Sequence, residues 1–163
     1  MSQADYFKKA MGFIHEIGIQ TEFKPIPADQ CFLPGLFIEQ GSIIIDQDRL
    51  QYPGDILHEA GHIAVVPAAE RNALYGPHIQ KRKDAPAEEM MVIAWSYAAC
   101  IYLGLEPEFV FHKDGYHGGG LSIIDNFQAG RYIGVPVLQW LGMTTVLEGS
   151  AIVYPGMIKW MRD

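Results

Sequence analysis

Three residues, His58, Glu59 and His62, have both the types and the spacing to do chemistry together, because they form the pattern H-E-x-x-H. Residues four positions apart lie one above the other on a helix, so two histidines at this spacing can present their imidazoles to one metal ion. The glutamate between them projects close to the same place, where it can take a proton from a water molecule that the metal activates. The pattern predicts His58 and His62 as metal ligands and Glu59 as the general base of a hydrolase.

The flanks of this pattern are typical of a partly buried helix over about residues 53–66. Pro53 and Asp55 suit a helix start, and Pro67 suits its end. The apolar positions between them recur at helical spacing: Ile56, Leu57, Ala60, Ile63 and Ala64. The alternative is a chance H-E-x-x-H on a solvated helix, which the apolar flanks disfavour.

A catalytic zinc site usually has three protein ligands and an open position, so a third ligand must come from another part of the chain. A second helix, predicted from Pro86 to about Leu103, carries Glu88 and Glu89 in its first turn. Adjacent helix residues point about 100° apart, so at most one of the two carboxylates can bind the metal. Periodicity does not choose between them, because both lie on apolar faces. Both could instead be solvated charges at the helix start.

A second group of candidate residues lies in a loop predicted over residues 106–120, which ends in three glycines. Tyr116 and His117 are side chains of the types that stabilise the oxyanion formed when water attacks a peptide carbonyl. The glycine-rich loop would allow them to close over a substrate. We therefore take Tyr116 and His117 as candidate catalytic residues. The alternative is a polar surface loop with no chemical role.

Composition and charge limit the classes of protein and partner. The 163 residues are 49% hydrophobic and 19% charged, which predicts one folded domain over residues 1–163 and argues against disorder. The formal net charge of -7 makes nucleic acid and anionic membranes poor partners. The expected partner is a peptide or protein substrate, and the sequence does not indicate an oligomeric state.

Three features predict a cytoplasmic protein. The longest apolar stretch, residues 90–105, is shorter than the roughly 18 to 20 residues that a bilayer span needs. The first residues lack the apolar core of a signal peptide. The two cysteines, Cys31 and Cys100, are too few for a disulfide framework and suit reduced thiols.

Periodicity along the rest of the chain predicts an α+β fold. An amphipathic helix is predicted over residues 3–18, a short strand over 21–26 and a hairpin over 36–46. Residues 68–85 are predicted to form a loop. Further helices are predicted over 123–132 and 135–141, and residues 151–161 are predicted to form a closing strand or helix.

Several of these features together resemble the ImmA/IrrE-type zinc metallopeptidases. They are Pro34-Gly35-Leu36-Phe37, the apolar strand that ends at Ile45-Asp46, the segment Leu57 to His62, and the Ala-rich, Glu-bearing helix that follows. The resemblance covers about residues 1–105. It implies a zincin-like α+β fold, with a small antiparallel sheet packed against the H-E-x-x-H helix and a long second helix.

The resemblance also implies a complete site. His58, His62 and Glu89 would be the zinc ligands and Glu59 the general base, with Glu89 lying 27 positions after His62. A metzincin is excluded, because Ala68 occupies the position of the third histidine in that class.

Two other functions stay open at this point. The chain could be a zinc-binding regulatory or interaction module of the same architecture without protease activity, or a structural domain in which H-E-x-x-H binds nothing. Peptide cleavage that a chelator abolishes would distinguish the enzyme from the module. A melting temperature that does not respond to zinc or chelator would indicate the structural domain.

Overall fold

The computed structural model describes residues 1–30 and 32–163, and within these ranges five α-helices and three short strands form an α+β fold. The helices are α1 Gln3–Glu16, α2 Asp55–Ala64, α3 Ala85–Leu103, α4 Gly120–Gln128 and α5 Val135–Trp140. The strands are β1 Thr21–Phe23, β2 Leu36–Glu39 and β3 Ser42–Ile45. The α+β class is thus confirmed, while Cys31 and its predicted free thiol lie outside the described residues.

The sheet is mixed, so the predicted small antiparallel sheet is wrong in one respect. β3 lies in the middle, antiparallel to β2, with Leu36 opposite Ile45, and parallel to β1, with Thr21 opposite Ile43. The reason is that β1 and β2 lie at opposite edges of the sheet, on either side of β3. The returning strand β3 then pairs with β1 in the same direction.

The hairpin predicted over residues 36–46 is confirmed. Its two strands are joined by Gln40 and Gly41, whose φ angles are 49° and 72°. Positive φ at both central residues is the geometry of the two-residue turns whose twist matches that of a hairpin. The hairpin contributes several fully buried side chains to the core: Leu36, Ile38, Ile43 and Ile45.

The helix pair α2 and α3 forms the structural base of the candidate site. Gly61 of α2 lies so close to α3 that a Cβ atom there would come within 2.9 Å of Val92 Cγ1. Ser96 of α3 donates a hydrogen bond of 3.4 Å to the carbonyl of Leu57. Because residue 61 meets residue 92 and residue 57 meets residue 96, the two helices run antiparallel. The start of α3 is therefore brought beside the second half of α2.

Gly54, the residue just before α2, contacts the loop that follows α3. A Cβ atom at Gly54 would overlap with the carbonyl group of Phe109, so no larger residue fits without displacing one of the two segments. This close approach holds the loop that carries Tyr116 against the beginning of the motif helix.

We expect Gly54→Ala to lower the free energy of unfolding by at least about 2 kcal/mol, since backbone atoms have to move apart. Gly12→Ala is the matched control. Gly12 lies inside α1, and a Cβ atom added to it would meet no other atom within 4 Å, so alanine there should add roughly 0.5–1 kcal/mol. Urea unfolding of the two variants measures both effects. A loss below about 0.5 kcal/mol at Gly54 would contradict the close approach of these segments.

The closing strand or helix predicted over residues 151–161 is wrong. Apart from one turn bond within it, the backbone groups of this segment bond to other parts of the chain. Trp95 donates its indole N–H to the carbonyl of Trp160 over 2.9 Å, and Arg162 N donates to the carbonyl of Ala64 over 2.9 Å. The second bond satisfies a carbonyl at the end of α2 that has no partner within the helix. The C-terminal segment thus covers the end of the motif helix.

The other predicted elements are confirmed with ends that differ by up to four residues, and the strand predicted over 21–26 ends at Phe23. The helices predicted over 3–18, 53–66, 86–103, 123–132 and 135–141 correspond to α1 through α5. The predicted loops contain short 3-10 helices: Ala68–Ala73, Gly76–Lys81, Pro107–Phe109 and Tyr116–Gly118. None of the helices in the described ranges is both long enough and apolar enough to cross a membrane.

Candidate metal centre

The structure brings together the donor atoms of His58, His62 and Glu89. The two Nε2 atoms of the histidines are 3.0 Å apart. One carboxylate oxygen of Glu89 lies 3.3 Å from His62 Nε2, and the other lies 3.7 Å from His58 Nε2. α2 supplies both histidines from adjacent turns, and the antiparallel packing of α3 supplies the carboxylate.

These separations fit a single metal ion. A tetrahedral zinc ion with bonds of about 2.0–2.1 Å holds its ligand atoms roughly 3.3 Å apart. The distance of 3.0 Å between the two histidine nitrogens and that of 3.3 Å from His62 to Glu89 lie near this value, and the 3.7 Å to His58 is measured from the other carboxylate oxygen of Glu89. Two histidines and one glutamate are also a ligand set that catalytic zinc sites use, with a fourth position left open. The three residues could therefore hold zinc without rearrangement of either helix.

Burial prepares both histidines for metal binding. It lowers the pKa of His58 to about 4 and the pKa of His62 well below its usual value. Both imidazoles are consequently neutral at neutral pH, which is the form that coordinates a metal. Glu89 is different, because its side chain is 45% exposed while those of His58 and His62 are 14% and 10% exposed. The site is thus more open to solvent on the side of Glu89.

Glu59, which lies between the two histidines in the sequence of α2, has a buried side chain. Burial raises the pKa of its carboxyl group to about 8, and the nearby carboxylates of Asp55 and Glu89 add to this effect. Without a cation the group therefore holds a proton at neutral pH. A divalent cation beside it would favour the ionised form, since a bound metal is the largest charge in such a site. The carboxyl group of Glu59 is thus both buried and raised in pKa.

Glu88 and Glu89 have separate roles in the structure. The two carboxylate oxygens of Glu88 accept hydrogen bonds of 2.8 and 2.9 Å from Arg82. Arg82 also donates to Glu70 over 2.6 Å. Glu88 is therefore buried in an ion-pair network, and the rotation between adjacent helix residues directs Glu89 to the histidines.

Tyr116 contacts the candidate ligand His58 on the side of the imidazole ring that faces away from His62. Its hydroxyl group lies 2.8 Å from Nδ1 of His58, the ring nitrogen opposite to the one that faces His62. When Nδ1 donates to the hydroxyl oxygen, Nε2 carries the lone pair that a metal requires. Burial raises the pKa of Tyr116 well above its usual value, so the hydroxyl stays neutral. The predicted role of Tyr116 at an oxyanion stays a prediction.

His117 follows Tyr116 in the same turn and is exposed. It does not belong to the group of possible metal ligands among the described residues. Its predicted catalytic role rests on the sequence alone.

Sequence reasoning did not predict which residues pair to support this loop. His112 Nε2 lies 3.0 Å from an oxygen of Asp55, and its ring stacks on that of Tyr52 at 4.0 Å. The Tyr52 hydroxyl donates to Asp114 over 3.0 Å. The only signal in the sequence was the density of polar and aromatic residues in the loop, which does not reveal their partners.

No protein-family model, curated protein or solved structure matches this chain. The resemblance to ImmA/IrrE-type metallopeptidases and the zincin-like fold that it implies thus have no support from known proteins. Both stay predictions.

Proposed function

We propose that this protein is a zinc-dependent hydrolase, most simply a peptidase, in which His58, His62 and Glu89 bind the metal and Glu59 is the general base. The observation that carries the proposal is the convergence of three donor atoms, all within 4.8 Å of one another, on two packed helices. Two neutral imidazoles and one carboxylate suit zinc better than magnesium or calcium, which prefer oxygen ligands. The zincin-like architecture belongs to the same proposal.

The chain's own residues account for the proton transfers. Bound zinc supplies a Lewis acid that polarises a substrate carbonyl and lowers the pKa of water. Glu59 accepts the proton of the attacking water and then donates it to the leaving amine. Its burial matters because a base works best when its pKa is near the operating pH. The exposed side of Glu89 is where a peptide can approach.

The proposal distinguishes Glu89 from its neighbour. We expect Glu89→Gln to weaken zinc binding by more than the roughly 10- to 100-fold that loss of an outer hydrogen-bond partner costs, because a direct ligand is removed. Glu88→Gln is the matched control and should keep zinc affinity near that of the wild type, although it weakens the bond with Arg82. Chelator competition measures both affinities. Equal zinc affinity in the two variants would contradict the choice of ligand.

A peptide library tests the activity itself. Zinc-loaded protein is incubated with synthetic peptides of varied sequence, and the products are identified by mass spectrometry. We expect cleavage of a subset of peptides, its loss on addition of a chelator and its return with zinc. Silence of the whole library, with one zinc bound per chain, would contradict the peptidase and favour a zinc-binding module.

A further inference from the structure

Three side-chain pairs connect the beginning of the motif helix with the loop over residues 112–116. On the helix side the paired residues recur at every third position, whereas their partners are alternate residues of the loop that do not follow in the same order. The pairs are Tyr52 with Asp114 at 3.0 Å, Asp55 with His112 at 3.0 Å, and His58 with Tyr116 at 2.8 Å. We call this set the ladder. Its last pair includes a candidate metal ligand, so the loop and the metal centre are physically continuous.

The middle pair is the most buried of those that lie outside the metal site. The side chains of Asp55 and His112 are 8% and 15% exposed. The His112 ring also lies parallel to that of Tyr52, with an angle of 7° between the planes. A Cβ atom at Gly115 would lie 3.1 Å from the same ring, so the loop backbone passes close over it. Asp55, Tyr52 and the backbone at Gly115 therefore all lie against the His112 ring. Removal of that ring would leave the buried carboxylate of Asp55 without this hydrogen-bond partner.

The turn that carries Tyr116 needs such support. Tyr116 and His117 both have φ near +54°, a region that residues with side chains rarely adopt. Residues in this conformation persist where the surrounding structure holds them. Two in succession mean that the local backbone does not by itself favour presenting the Tyr116 hydroxyl to His58.

We propose that Asp55 and His112 are positioning residues of the metal centre, which act through Tyr116 on His58. The inference rests on the proposed zinc site. The Asp55–His112 pair fixes the loop against α2, the loop places the Tyr116 hydroxyl at Nδ1 of His58, and that bond sets the orientation of the His58 ring. Outer partners of metal-bound histidines act in this way, and their loss typically costs about 10- to 100-fold in metal affinity.

The test measures zinc affinity by chelator competition and the visible spectrum of the cobalt-substituted protein. The variants are Asp55→Asn, His112→Ala, His112→Gln and Tyr116→Phe, with His78→Ala as an exposed control. We expect His112→Ala, Asp55→Asn and Tyr116→Phe each to weaken zinc binding by about 10- to 100-fold and to change the cobalt spectrum. His112→Gln should recover part of the affinity, because its amide can donate to Asp55. Asp55→Asn keeps the shape of the side chain and serves if His112→Ala does not fold.

A double variant separates positioning from general stability. If His112 acts through Tyr116, the effects of His112→Ala and Tyr116→Phe on zinc affinity should not add. The double variant should then bind zinc about as tightly as whichever single variant binds it less tightly. Variants that lower the unfolding temperature but keep wild-type zinc affinity and cobalt spectrum would overturn the inference and leave the metal site intact. Absence of zinc binding in the wild type would overturn the proposed function together with it.

Discussion

Glu59→Gln is expected to abolish peptide cleavage while the protein keeps its zinc. Glutamine has the same size and shape as glutamate, but its amide cannot accept the proton of the attacking water. General bases contribute typically about 10²- to 10⁴-fold to a rate, so activity should fall at least about 100-fold. The fold should tolerate the change, because burial already raises the pKa of Glu59 to about 8 and favours its uncharged form.

The measurement compares kcat/KM and zinc content of Glu59→Gln with those of the wild type. Glu16→Gln is the matched control, since Glu16 is exposed at the end of α1, far along the chain from the motif. The control should keep full activity. Retention of wild-type cleavage by Glu59→Gln, at equal zinc content, would rule out Glu59 as the base.

His62→Ala is expected to remove the response of the protein to zinc. A metal that binds only the folded state, at about 1,000 times its Kd, stabilises that state by about 4 kcal/mol. For a domain of this size each kcal/mol corresponds to roughly 2–4 °C in Tm. Zinc should therefore raise the Tm of the wild type by roughly 8–16 °C and that of His62→Ala hardly at all.

Thermal unfolding with zinc and with excess chelator gives the two Tm values for each protein. His78→Ala is the control, because His78 is an exposed histidine on a 3-10 helix outside the three donors. It should keep the full shift. An equal zinc-dependent shift in His62→Ala would mean that zinc stabilises the protein from another site.

The parts of the molecule that the sequence predicts well depend on short-range geometry. The motif helix is one such part, because apolar residues at helical spacing, Pro53 and Pro67 all agree on it. The relative placement of His58 and His62 follows from that helix alone. The hairpin is another, since Gly41 and the β-branched strand β3 define it locally.

The parts that the sequence does not predict depend on contacts between distant residues. The partner of Glu88 is Arg82, which reaches it from the end of a short 3-10 helix that the sequence describes only as a loop. The parallel pairing of β1 with β3 depends on β2 lying at the opposite edge of the sheet. The docking of Trp160 depends on Trp95, 65 positions earlier in the chain. The spacing of apolar residues along the chain does not predict such pairs.

The same limit applies to the residues around the metal centre. Tyr116 is in the correct loop by composition, yet its contact with Nδ1 of His58 spans 58 positions and follows from the packing of that loop against α2. The close approach of Gly54 to Phe109 permits this packing. A single glycine before a helix does not predict such an approach.

We expect His58, His62 and Glu89 together to hold one zinc ion. The most direct measurement is anomalous X-ray diffraction from crystals of the zinc-loaded protein, recorded on both sides of the zinc absorption edge. We predict one strong anomalous peak, about 2.0–2.2 Å from Nε2 of both histidines and from a carboxylate oxygen of Glu89. No peak at these three side chains, in crystals whose protein carries one zinc per chain, would contradict the claim.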